Sequence, residues 1–194
     1  MISCIVVTVN TPENVASNLL TVDKNNCETP CTVSGTARWI NSGGTASVPT
    51  DLKITVNGTP TILAAGVIIP AGGTTSSYPF GVGPLAKGIY TIATVPAGAA
   101  NQVITVVNPA NIVAKTIVGS TLTCTAPCSL TVDITWENIG DVAGNFVPNI
   151  IIDNVPATPV YMSESLAGLT TSAIKTFTVT GLTAMSHTIC ASPN

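Results

Sequence analysis

The sequence predicts an all-β protein of two tandem β-sandwich domains, the second without its closing strand. Three observations carry this reading: an internal repeat, apolar residues that alternate with polar ones, and frequent Gly and Pro breaks with no amphipathic helical stretch. Cys27-Glu-Thr-Pro-Cys31, followed by Trp39, Asn41 and Gly43, returns as Cys124-Thr-Ala-Pro-Cys128, followed by Trp136, Asn138 and Gly140, at a constant offset of 97 residues. Phe80, Val82, Leu85, Ile92 and Pro96 match Phe177, Val179, Leu182, Ile189 and Pro193 at the same offset. Val48-Pro49 matches Val147-Pro148, and Ala71-Gly72 matches Ala167-Gly168, with small slips that loop changes explain. The repeat divides the chain into a detached strand over 1–10, a first sandwich over 11–109 and a second over 110–194.

The strands follow in order. Leu130, Val132, Ile134 and Trp136 alternate with Thr131, Asp133 and Thr135, which puts one face of a strand in a core. Val33, Gly35, Ala37 and Trp39 hold the same positions in the first copy. Trp39 and Trp136 are therefore core anchors rather than ligand platforms. Asn41-Ser-Gly-Gly44 and Asn138-Ile-Gly-Asp141 supply turn chemistry. Asp51–Asn57 is a strand that ends in Asn57-Gly58, a type I′ hairpin signal, and Asn149–Asp153 is its shorter counterpart. Further strands are expected around 62–69, 74–82 and 88–95, and around 160–166, 170–180 and 185–190.

Composition excludes several function classes. Charged residues are 8% of the chain, against about 25% in an ordinary domain, and Thr, Ser, Asn and Gly fill the polar positions. Six basic residues and a net charge of −3 leave no basic patch for nucleic acid. The acids are scattered, which argues against a calcium cage. No apolar run of 18 residues exists, so no membrane span is expected. The residues after Met1 are strand-like, with neither a basic n-region nor a long apolar h-region, so no leader is read there.

The cysteines are even in number, and the chain has a single His, His187. A zinc site would want a second pair close by in the same domain, and the two C-x3-C pairs lie almost a hundred residues apart. Disulfides Cys27–Cys31 and Cys124–Cys128 are the better reading, and they imply an oxidising, extracellular setting.

Trp39-Ile-Asn-Ser-Gly-Gly-Thr-Ala-Ser-Val-Pro49, the strand ending Val56-Asn-Gly58, Ala71-Gly-Gly-Thr-Thr75 and Lys87-Gly-Ile-Tyr-Thr-Ile92 resemble the CARDB type of cell-adhesion-related module found in bacterial and archaeal surface proteins. Both copies match over most of their length. The resemblance implies two Ig-like sandwiches, placement at the cell surface and no catalytic residues. The C-x3-C staple departs from the usual pattern.

The first copy closes with Asn101–Pro109, an apolar strand. The second copy has no such strand after Pro193. Cys4-Ile-Val-Val-Thr-Val-Asn10 looks like it, and aligns with Gln102–Asn108 when the asparagines are matched. Residues 2–10 then read as the closing strand of a module that precedes the first copy. Ile2, Cys4, Ile5, Val6, Val7 and Val9 form the expected polymerisation strand. Met185, His187, Ile189 and Cys190 form the expected acceptor groove on another subunit. Strand donation of this kind is head-to-tail and generates a homopolymer. A strand folded back into its own chain and a fragment of a longer array are the competing arrangements. Cys190 lies where the first copy has Ala93, and closing and penultimate strands are antiparallel neighbours. An intermolecular Cys4–Cys190 disulfide is expected to lock the fibre.

The functional expectation is a structural subunit of an extracellular, pilus-like filament. The alternatives are adhesin repeats from a longer surface protein that bind a cell-surface or host receptor, or a virion structural protein. No nucleophile–base pair, metal motif or phosphate loop is present, so no enzyme activity, no cofactor and no metal are expected. Asn57-Gly58-Thr59 is both a hairpin turn and the one candidate N-glycosylation site.

Overall fold

The computed structural model describes residues 7–157 and 162–193. Their regular elements are all β-strands, so the chain is all-β. It divides into two compact units, Met1–Val107 and Asn108–Asn194, two residues before the boundary read from the repeat. Among the described residues no helix is long and apolar enough to cross a membrane.

The first unit contains β1 (Val15–Val22), β2 (Asn26–Glu28), β3 (Cys31–Asn41), β4 (Thr50–Val56), β5 (Thr59–Val67), β6 (Tyr78–Leu85), β7 (Gly88–Val95) and β8 (Gln102–Val107). One sheet runs β1-β3-β6 and the other β2-β8-β7-β4-β5. Their inward faces share one core: Val33, Ala37, Trp39 and Phe80 from the first sheet, Leu52, Ile54, Ile92, Ile104 and Val106 from the second. Trp39 is fully buried, meets Tyr78 edge-on at 6.1 Å, and donates its indole N–H to the Pro96 carbonyl at 3.0 Å. A buried indole is stabilised by both its area and that bond. The Asn57-Gly58 turn has positive φ at both residues (48° and 84°), as a type I′ hairpin requires.

The second unit contains β9 (Ile112–Gly119), β10 (Cys128–Asn138), β11 (Gly144–Phe146), β12 (Pro148–Ile152), β13 (Val155–Pro156), β14 (Glu164–Leu166), β15 (Lys175–Leu182) and β16 (Ile189–Pro193). Its sheets run β15-β10-β9, β13-β12-β16 and β11-β14. Trp136 is fully buried between Phe146 and Phe177 in a core that also holds Val132, Ile134 and Ile150.

The repeated Asn-x-Gly has the same physical role in both units. Asn41 is fully buried; its side-chain oxygen accepts the Asn14 and Gly43 amides, and its Nδ2 donates to the Thr45 and Ile69 carbonyls. Asn138 does the same with Asn111, Gly140, Val142 and Leu166. Four satisfied bonds let an amide sit in a core that would otherwise exclude it. The glycine is needed because a Cβ on Gly43 would lie 2.2 Å from the Pro12 carbonyl, and one on Gly140 2.0 Å from that of Pro109.

Candidate strand-acceptor groove

Six strands of each unit correspond, and β11 and β14 of the second have no counterpart strand in the first. β9, β10 and β15 stand where β1, β3 and β6 do, and β12, β13 and β16 stand for β4, β5 and β7. Among the described residues of the second unit nothing stands for β8 or β2. In the first unit β8 pairs antiparallel with β7, from Gly88↔Val106 to Ile92↔Gln102, and parallel with β2, from Asn26↔Thr105 to Glu28↔Val107. Among the described residues of the second unit β16 pairs only with β12.

The loss of that strand explains two local differences. β2 exists because β8 gives it a ladder; its counterparts Thr123–Thr125 are not a strand. β7 begins at Gly88, but β16 begins only at Ile189, so residues 185–188, expected as strand, are irregular. Isolated strand segments without a partner are not stable in water.

Where Ile104 and Val106 plug the first core, the second unit has an open cleft of about 590 Å³. Its walls include Ile117, Leu130, Val132, Met185, His187 and Ile189, with the Cys124–Cys128 disulfide at one side. The exposures record the uncovering. Leu20 is 6% exposed and its counterpart Ile117 is 44%. Ile92 and Val33 are fully buried, whereas Ile189 and Leu130 are only half-buried.

Three of the four groove residues read from the sequence, Met185, His187 and Ile189, line this cleft. Cys190 does not; it alternates to the outer face of β16 and is an exposed free thiol. Both C-x3-C pairs are disulfides, with Cα atoms 6.0 Å apart. Ile2, Cys4, Ile5 and Val6 lie outside the described residues. Val7 and Val9 are irregular in conformation and 71% and 87% exposed. The Asn57 amide oxygen accepts the Thr91 N–H at 2.8 Å, so the candidate glycosylation residue also holds its turn to β7.

His187 is the cleft's titrating group. Its Nδ1 lies 2.6 Å from Asp153 Oδ2, and its Nε2 is 3.2 Å from the Thr183 carbonyl. Asp153 Oδ1 accepts the Thr188 amide at 2.8 Å. The Asp153 carboxylate, then the Thr183 carbonyl, raise the His187 pKa above its ordinary 6.5. The Thr188 amide, then His187, lower Asp153 below 3.8. A raised His contributes stability below 6.5 and loses it as pH rises through its folded value. A depressed Asp contributes above 3.8 and loses it as pH falls through its folded value. The pair therefore holds residues 183–188 against the β12–β13 turn best between those limits. Thermal unfolding of the second unit is expected to move to lower temperature from about pH 6 to about pH 8, and His187→Gln to flatten that slope. An unchanged slope in the variant removes the pair as its cause. The repeat alignment placed His187 opposite Tyr90 but gave no sign of Asp153 as its partner, because Tyr90 reaches the Ala86 carbonyl with its hydroxyl instead.

No protein-family model matches this chain, and no curated protein matches it.

Proposed function

We propose that this protein is a structural subunit of an extracellular filament, in which the cleft of the second unit receives the N-terminal strand of another copy. The observation that carries the reading is the open cleft of the second unit, where β8 fills the first, in a chain whose N-terminal sequence is apolar and strand-like and whose Val7 and Val9 are exposed. β8 serves as the internal template: it shows what kind of segment a groove of this construction holds. The reading assigns each unit the Ig-like, CARDB-type sandwich that the sequence resembles, and gives the protein no catalytic role. Its partners are copies of itself.

An open core with a free sheet edge is an aggregation hazard unless something covers it. Donation covers both at once. Head-to-tail contacts of this kind do not close, so they extend into a fibre. Negative-stain microscopy of the purified protein is expected to show uniform, unbranched filaments. A monodisperse monomer at high concentration overturns the reading. It favours instead an array in which a neighbouring segment of a longer surface protein fills the cleft.

A further inference from the structure

Matching hydrogen bonds fix the frame in which a donated strand would sit. The Gly44 amide donates to the Thr11 carbonyl at 3.1 Å, and at the same place in the second unit the Asp141 amide donates to the Asn108 carbonyl at 3.2 Å. Pro12 and Pro109 then make the same close approach, to Gly43 and Gly140. Thr11 therefore corresponds to Asn108, and Pro12 to Pro109. This moves the N-terminal strand one residue from the alignment that matches Asn10 with Asn108. Cys4 corresponds to Asn101, not to Gln102.

A one-residue shift turns every side chain to the other face. In the earlier frame Thr8 would take the place of Val106, which is 2% exposed. In the structural frame Ile5, Val7 and Val9 take the places of Gln102, Ile104 and Val106, so the buried positions are all apolar. Cys4 falls on the outer face. Continuing the β7–β8 ladder one step past Ile92↔Gln102 brings Ala93 opposite Asn101. Their counterparts are Cys190 and Cys4, on the same face of adjacent antiparallel strands. Such pairs have Cα separations of about 4.5–5.5 Å, within disulfide range.

Resting on the filament reading, we infer that a second copy docks in this single frame, with Ile5, Val7 and Val9 in the cleft, and that Cys4 of the donor forms a disulfide with Cys190 of the acceptor. The two thiols give up two electrons and two protons, which reduce an external disulfide, such as oxidised glutathione, to two thiols. The unlinked assembly can adjust its fit before this step and cannot separate after it.

The test is a cysteine scan in the full chain with oxidised glutathione as oxidant. The unaltered chain is expected to give a ladder on a non-reducing gel that collapses on reduction, and a Cys4–Cys190 linked peptide by mass spectrometry. Cys190→Ser is expected to form filaments without a ladder. Ser3→Cys/Cys4→Ser and Cys4→Ser/Ile5→Cys are expected to link at least about tenfold more slowly, because the new thiols lie on the opposite face. Filaments that link equally well through residue 3 or 5, or that never link, overturn the frame and leave the filament reading intact. Absence of both filaments and ladder overturns both.

Discussion

Val7→Asp/Val9→Asp protein is expected to remain monomeric at concentrations where the unaltered chain assembles. The two positions correspond to Ile104 and Val106, which are 0% and 2% exposed in the first unit. By the β7–β8 ladder residue 7 would face His187, which already pairs with Asp153, and residue 9 would face Met185; the cleft lining holds no Lys or Arg, so each buried charge costs several kcal/mol. At about 1.4 kcal/mol per tenfold, two such charges weaken docking by more than about a thousandfold. In the proposed contact the unaltered strand would start with little or no surplus. Burying Ile5, Val7 and Val9 contributes roughly 5–9 kcal/mol at about 1.5–3 each, against an association cost of about 4–15 kcal/mol. In the proposed assembly the backbone ladder and the Cys4–Cys190 link would make up the rest, so little margin would exist to absorb a charge. Val6→Asp is the matched control. In the proposed docking frame residue 6 would fall on the outer face, so assembly is expected to change only a few-fold. Analytical ultracentrifugation reads both. Equal loss in both variants, or none in either, removes these residues from the assembly contact.

Trp39→Ala is expected to destabilise the first unit by about 3–5 kcal/mol, through lost burial and the cavity left behind. In a domain of this size that lowers the thermal midpoint by upward of about 12 °C. It also strands the Pro96 carbonyl that the indole N–H now satisfies. Trp136→Ala removes an equally buried ring but no hydrogen bond seen among the described residues, where that N–H has no partner. Its cost is expected to be smaller than that of Trp39→Ala, by about 1 kcal/mol. Calorimetry on the full chain measures both. A fall under about 5 °C for Trp39→Ala sinks its role as anchor.

Much of the architecture was legible in particular residues. The period-two runs through Trp39 and Trp136 marked the central strands β3 and β10, because a strand with one face in a core must alternate. Asn57-Gly58 marked the β4–β5 hairpin because few residue pairs tolerate positive φ twice in succession. The short strands β2, β11, β13 and β14 left no such mark. Each spans two or three residues and exists through its ladder partner, which for β2, β11 and β14 lies well away in sequence and for β13 is the adjacent β12. Strand limits failed for the same reason. Residues 185–188 carry a strand-like pattern but are not a strand here, since the edge they would pair with is open.

The sequence by itself determined that the chain repeats, that it is all-β, and that each copy is anchored by a Trp and stapled by a C-x3-C pair. These follow from local pattern, which survives without coordinates. Only the tertiary structure decided which residues face one another. It opened a cleft in one unit where β8 fills the other, left Trp136 without an acceptor among the described residues, and set Cys190 on the outer face. It also changed the alignment of the segment before β1 by one residue, because sequence matching aligned Asn10 with Asn108 whereas the backbone aligns Pro12 with Pro109. Register is a property of hydrogen bonds between distant segments, and in a strand one residue separates the core face from the solvent face.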